Sequence, residues 1–208
     1  MNASEEQERE SSEWNVRELS AGEFDALSAA SEYGGFQQTS EMAALAQSEG
    51  MQTQYVGLVD SHDVPVAGAL VAFSQGRFGV EGSLWLGPLC NGNDGEQMTA
   101  LTDGLREVAE RVHAISLTCW PNQVYCVRDS QGKVMAEPND EMVREYERLG
   151  WKHAGFARGY GALMNRWNYV KDLREFSNAG ELLASYAKNT RRNVKIARNS
   201  GVDRKSVV

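Results

Sequence analysis

Five cations close to the end of the sequence, Lys188, Arg191, Arg192, Lys195 and Arg198, are the residues whose types and spacing point most directly to chemistry. On a helix turning about 100° per residue they share one sector about 120° wide. Like charges crowded in this way repel one another by a few tenths of a kcal/mol for each i,i+4 pair (about 0.2–0.5), so a plain solvated face would more often mix signs. Two readings stand side by side. One is a solvated helix end whose cations complement the C-terminal dipole. The other is an anion site, in which Arg191 and Arg192 grip phosphate oxygens bidentately while Lys188 and Lys195 act as mobile point charges. A diphosphate or an RNA backbone is the natural ligand of the second.

The rest of the sequence supplies little competing chemistry. His62 falls in a turn, His113 ends a helix and His153 follows a strand start, so no metal or triad spacing forms. Cys90, Cys119 and Cys126 make an odd set without C-x-x-C spacing, which implies neither a disulfide framework nor a zinc site and reads as buried thiols. No G-x-S-x-G, P-loop or G-x-G-x-x-G is present. Tyr160, Trp167, Tyr169 and Tyr186 read as core or cleft-wall aromatics rather than a nucleobase stack. The acids are too numerous for the sequence to single out a catalytic base, which stays unassigned.

The chain of 208 residues has a formal charge of -8, but residues 188–208 hold seven basic and one acidic side chain, giving a +6 tail on a body of -14. Such a distribution excludes a general nucleic-acid or DNA binder, because phosphate affinity grows with the number of cations that reach the backbone together. A 41% apolar composition is enough for a packed core. No apolar run approaches the roughly 20 residues of a membrane-spanning helix, and charge stands where a secretory signal would have its apolar stretch, so the cytoplasm is the expected compartment.

The elements that must carry the cations follow from capping and periodicity. Residues 1–13, with five Glu and hardly any apolar side chain, read as a disordered acidic leader. Ser20 with Glu23 opens a helix over about 20–30, and Thr39 or Ser40 opens another ending near Gly50. Strands are expected over Thr53–Val59, Val64–Phe73 and Phe78–Leu86, the first two joined by a turn at Asp60–Asp63. Leu101, Leu105, Val108, Ala109 and Val112 mark an amphipathic helix, and Ala114–Trp120 a buried strand. Residues 121–138 read as an irregular loop, and Asn139 or Asp140 caps a short helix to Leu149–Gly150. Two aromatic-rich strands, 151–160 and 162–170, and one long helix from Asn178 to about Asn199 complete the order. In that helix Leu183, Ala187, Thr190, Val194 and Ala197 form the packing stripe beside the cations. The class is α/β (α+β), a mixed sheet flanked by helices.

The run Lys188-Asn189-Thr190-Arg191-Arg192-Asn193-Val194-Lys195-Ile196-Ala197-Arg198-Asn199-Ser200-Gly201-Val202 resembles the KxTRxNIKxAxxxGV signature of the FemABX family of peptidoglycan aminoacyltransferases. Trp167–Leu173 is similar to the family's W-x-x-x-x-D-L strand end, Glu181-Leu182-Leu183 to the helix start after it, Phe36–Ser40 to its F-x-Q-[ST] segment, and Gly87-Pro88 to its G-P turn. The resemblance implies a GNAT-like first subdomain over 14–175, with 176–208 leading into a second one. It implies transfer of an amino acid from aminoacyl-tRNA to the peptide stem of a UDP-linked muropeptide or lipid-linked precursor. No cofactor or metal is needed, and the cleft would be peripheral to the inner membrane face at most. Lys188, Arg191, Arg192, Lys195 and Arg198 would hold the precursor diphosphate or tRNA phosphate, with Gln38, Tyr160 and Tyr186 as possible cleft wall. The competing readings are a non-catalytic module that binds phosphate, muropeptide or RNA, and a CoA-dependent N-acyltransferase. For the latter, Arg158-Gly159-Tyr160-Gly161 would cradle pyrophosphate, although the turn ends on Leu163 and a strand is expected to follow.

Overall fold

The computed structural model describes residues 14–90, 95–156, 168 and 170–202. It divides into two units, Met1–Ala154 and Gly155–Val208.

In the first unit, Ser20 accepts from the Glu23 backbone N–H while the Glu23 carboxylate accepts from Ser20 N at 2.8 Å, the reciprocal capping expected of this pair. This opens α1 (Ala21–Ala30). Thr39 caps α2 (Ser40–Ser48) through the Met42 N–H, after a single 3-10 turn over Phe36–Gln38. A strand not expected from the sequence, β1 (Asn15–Glu18), precedes α1 and pairs antiparallel with β2 (Gln52–Val59). Arg17 anchors it, with Nη2 2.7 Å from Glu23 Oε1 and Nε 2.8 Å from Asp63 Oδ1.

The chain then turns at Asp60–Asp63 into β3 (Pro65–Gln75), β4 (Val80–Trp85) and the two-residue β5 (Leu89–Cys90). After α3 (Gly95–Arg111) comes β6 (Ala114–Trp120). The sheet order is β1-β2-β3-β4-β6 with β5 on β3, all antiparallel except the β4–β6 pair.

Two cores follow from the strand alternation. Val56, Leu58, Ala67, Ala69, Val71, Phe73 and Leu84 meet Leu101, Leu105 and Val108 of α3. Leu70 and Val59 point to the other face and meet Phe24 and Leu27 of α1 and Ala43 of α2. At roughly 25 cal/mol per Å² of apolar surface removed from water, these cores supply the main stabilising term of the unit.

Several expectations are corrected. Strand 78–86 shortens to Val80–Trp85. The strand Ala114–Trp120 is not buried: Leu117 and Cys119 face α3, whereas Ser116 and Thr118 on the alternate face are exposed, and Ile115 is 57% exposed. Among the described residues it stands at the end of the sheet order, with β4 as its neighbour. Residues 121–138 contain a small antiparallel ribbon, β7 (Val127–Arg128) with β8 (Val134–Ala136). Asn139 caps α4 (Asp140–Arg148) as expected. Residues 151–156 form no strand; the leader 1–13 and the strand candidates from 157 onward, apart from residues 168 and 170, lie outside the described residues.

In the second unit the expected single helix is two, α5 (Ala179–Ser185) and α6 (Lys188–Asn199). Tyr186 and Ala187 between them are extended, at φ -77, ψ 154 and φ -58, ψ 152. Leu183 therefore leaves the packing stripe, and the Arg191 side chain donates to Ala184 O at 3.0 Å, satisfying a carbonyl that a continuous helix would have bonded internally.

Candidate phosphate-binding site

All five cations lie on the twelve-residue α6, so the break before Lys188 leaves the cluster whole. Lys188, Arg191, Arg192, Lys195 and Arg198 are exposed, while Val194 and Ala197 on the adjoining stripe are half-buried. None of the five has an ion pair among the described residues, although acidic side chains such as Asp172 and Glu141 pair elsewhere. The first turn of α6 carries no acid and no side-chain cap, so its free N–H groups and the positive end of the dipole add to the cations. An anion meets here both point charges and directional donors.

Tyr186 is half-buried at the elbow, and the Lys171 ammonium sits 5.4 Å from its ring centre and 5.0 Å from that of Phe176. Two aromatic faces hold this sixth cation in place. Sequence reading did not single out Lys171; the signal available was a lysine between aromatics on either side. Tyr160 lies outside the described residues, as does the Arg158–Gly161 turn.

Gln38 occupies a different setting, in the first unit. It is fully buried, and its carboxamide accepts from Leu70 N at 2.9 Å and donates to Trp85 O at 2.9 Å. Leu70 stands between the stretch of β3 that pairs with β4 (Ala72–Gln75) and the stretch that pairs with β5 (Ala67–Gly68). The side chain thus fills a gap on the edge of β3 opposite β2, between the stretches served by β4 and β5. A Cβ on Gly87 would come within 2.8 Å of the Gln38 carboxamide, so the glycine of the G-P turn is required by the glutamine of the F-x-Q-[ST] segment. Two sequence-singled motifs meet at this one contact.

Among the described residues, the groups with displaced pKa values point to no activated nucleophile. Cys90 is buried, and burial pushes the Cys119 thiol up to about 12, keeping it protonated. The carboxyls with displaced pKa values, Glu23, Asp60, Glu141 and Asp172, are all shifted down by hydrogen bonds, which makes them weak bases. Among the described residues no group of three or more His, Cys, Asp or Glu could hold a metal, and no helix is long and apolar enough to cross a membrane.

Comparison with known proteins covers both units. Aminoacyltransferase FemA of Staphylococcus aureus (strain MW2) is 23% identical over 196 residues, 88% of this chain and 44% of its own length. FemA of strain N315 of the same species matches with the same figures. The chain therefore spans less than half the length of these relatives. The crystal structure of FemX superposes with a TM-score of 0.65 at 19% identity, over 88% of this chain and 43% of that one, and so shares the fold, a mixed sheet flanked by helices. With residues 19–207 matched, cation helix, Gln38 segment and G-P turn included, the chain belongs to the FemAB family.

Proposed function

We propose that the chain is the first part of an aminoacyltransferase that moves an amino acid from aminoacyl-tRNA to the peptide stem of a peptidoglycan precursor, UDP-linked or lipid-linked, building the interpeptide bridge. The observation that carries this reading is the unpaired cation face of α6, lying within the region that matches the family. Lys188, Arg191, Arg192, Lys195 and Arg198 hold the precursor diphosphate or a tRNA phosphate, with Tyr186 at the cleft wall. The reaction is aminolysis of an activated ester. A neutral amine attacks the aminoacyl carbonyl, the C–N bond forms, the ester C–O bond breaks, and the tRNA ribose oxygen leaves with a proton. Such a step needs two anionic substrates brought together and an oxyanion stabilised, and it needs no metal or cofactor. Residues 176–208 lead into a second GNAT-like subdomain, and the enzyme works in the cytoplasm, at most peripheral to the membrane.

Titration of the chain with a UDP-linked muropeptide tests the site. Arg192→Ala and Lys195→Ala are each expected to cost about 1.5–3 kcal/mol, roughly ten- to hundredfold in Kd, since each removes a charge-assisted bond. Affinity should also fall with salt. Arg191→Ala adds loss of the Ala184 contact and is read only beside the other two. Unchanged affinity in Arg192→Ala and Lys195→Ala would sink the assignment. A second reading is a module that binds the precursor without turnover; a labelled-transfer assay on these 208 residues and on a longer chain separates the two.

A further inference from the structure

The cations of the second unit differ in what holds them. Arg174 is neutralised: its Nε lies 2.9 Å and its Nη2 2.5 Å from the two carboxylate oxygens of Asp172, and this bonding holds the Asp172 carboxyl below the usual carboxylate range. Arg191 and Lys171 are held by neutral groups instead. Arg191 Nη1 donates to Ala184 O at 3.0 Å, and the Lys171 ammonium lies 5.0 Å from the Phe176 ring centre and 5.4 Å from that of Tyr186. Asp172, the carboxylate next to Lys171 in sequence, also accepts from Arg174 N at 2.9 Å and is fully taken. Lys171 is exposed and has no ion pair among the described residues.

A ring face attracts an ammonium but offers it no lone pair in the plane of a carbonyl or carboxylate, so the charge of Lys171 is positioned without being cancelled. Its three N–H donors stay available to an anion. Tyr186 stands two residues before Lys188, and Arg191 reaches back over the same elbow to residue 184. The elbow thus gathers Lys171 and Arg191 beside the first turn of α6. Lys188, Arg191 and Arg192, at i, i+3 and i+4, carry enough donors on one helix face for one phosphoryl group. Lys171 comes from a different segment, ahead of α5, and so reaches a bound anion from a second direction.

We propose that Lys171 binds the second phosphoryl group of a diphosphate seated on α6, and that it makes the elbow select a diphosphate over a monophosphate. This rests on the precursor-diphosphate reading above and names the residue that reads the second phosphate. Phe176 is a positioning residue, acting through Lys171.

The test is calorimetric titration of the 208-residue chain with inorganic phosphate, inorganic pyrophosphate and a UDP-linked muropeptide. Lys171→Met keeps the length of the stem and removes the charge. It should weaken pyrophosphate and muropeptide roughly tenfold and phosphate less than about twofold, with the melting curve unchanged. Lys171→Arg should restore most of the loss. Phe176→Leu should weaken pyrophosphate about threefold in the wild-type chain and have no effect in the Lys171→Met background, a non-additivity that a merely structural ring would not show. Unchanged pyrophosphate affinity in Lys171→Met, or equal losses for phosphate and pyrophosphate, overturns the proposal; equal effects of Phe176→Leu in both backgrounds overturn the role of the ring. Muropeptide binding that survives Lys171→Met but is weakened by Arg192→Ala removes Lys171 and keeps the precursor reading. Pyrophosphate binding that depends on Lys171, in a chain that binds the muropeptide no better than pyrophosphate, keeps Lys171 and removes the precursor reading. A wild-type chain that binds neither overturns both.

Discussion

Gln38 shows what one polar side chain does when a sheet is left incomplete. Replacing it by Met keeps the volume but strands the Leu70 N–H and the Trp85 carbonyl in the core, and about 2–4 kcal/mol of stability should be lost, read as a lower urea midpoint. A silent Gln38→Met would mean that water replaces the carboxamide. Glu23 carries the pH dependence of the same unit. Hydrogen bonds from Arg17 and then Ser20 hold its carboxyl at about 2, below the usual 4.5. A depressed carboxyl stabilises the fold above its unfolded pKa and stops doing so as pH falls through the folded one, so the contribution disappears between about pH 5 and 2. The thermal midpoint should drop over that window, and less steeply in Glu23→Gln. Of these residues the sequence announced Glu23, whose spacing from Ser20 has a local meaning. Gln38 was noticed only through its motif, because its partners lie 32 and 47 residues away and no local rule points to them.

At the scale of elements, helices with caps were legible and interruptions without a breaker were not. Ser20, Thr39 and Asn139 start α1, α2 and α4 as their side chains dictate. The elbow between α5 and α6 contains neither Gly nor Pro, and unbroken periodicity through Leu183, Ala187 and Val194 disguised it. β1 was missed because four residues with two charges carry no alternation signal. The elbow can be tested against the continuous helix it replaces. Ala187 has a φ of -58, follows an extended residue and donates no backbone hydrogen bond among the described residues. Ala187→Pro should therefore be neutral or stabilising by about 0.4–1 kcal/mol. In an uninterrupted helix the same change would cost about 3 kcal/mol. Far-UV ellipticity and the melting point of the variant decide between them.

For the whole molecule, the charge of -8 describes neither end of the chain: residues 188–208 carry +6 and the rest -14. The function was legible only as far as the family goes, since the chain spans 44% of FemA and no catalytic base announced itself by spacing. One liability belongs to this scale. Among the described residues β6 has a neighbour on one side only, carries no charge from Ala114 to Trp120, and exposes Ile115. Uncharged β-prone edges template association. Ser116→Lys on the exposed face should raise the temperature at which light scattering begins, with ellipticity unchanged; an unmoved onset would clear this strand.

The gap in β3 also bears on the order of folding events. Every other amide in the middle of that strand waits for a neighbouring strand, but the Leu70 amide waits for a side chain from the turn after α1. Its protection from solvent exchange is then a single-site clock for the docking of that turn. In pulse-labelling, Leu70 should become protected later than the β2–β3 ladder around it, and in Gln38→Met it alone should exchange early while the ladder amides keep their protection.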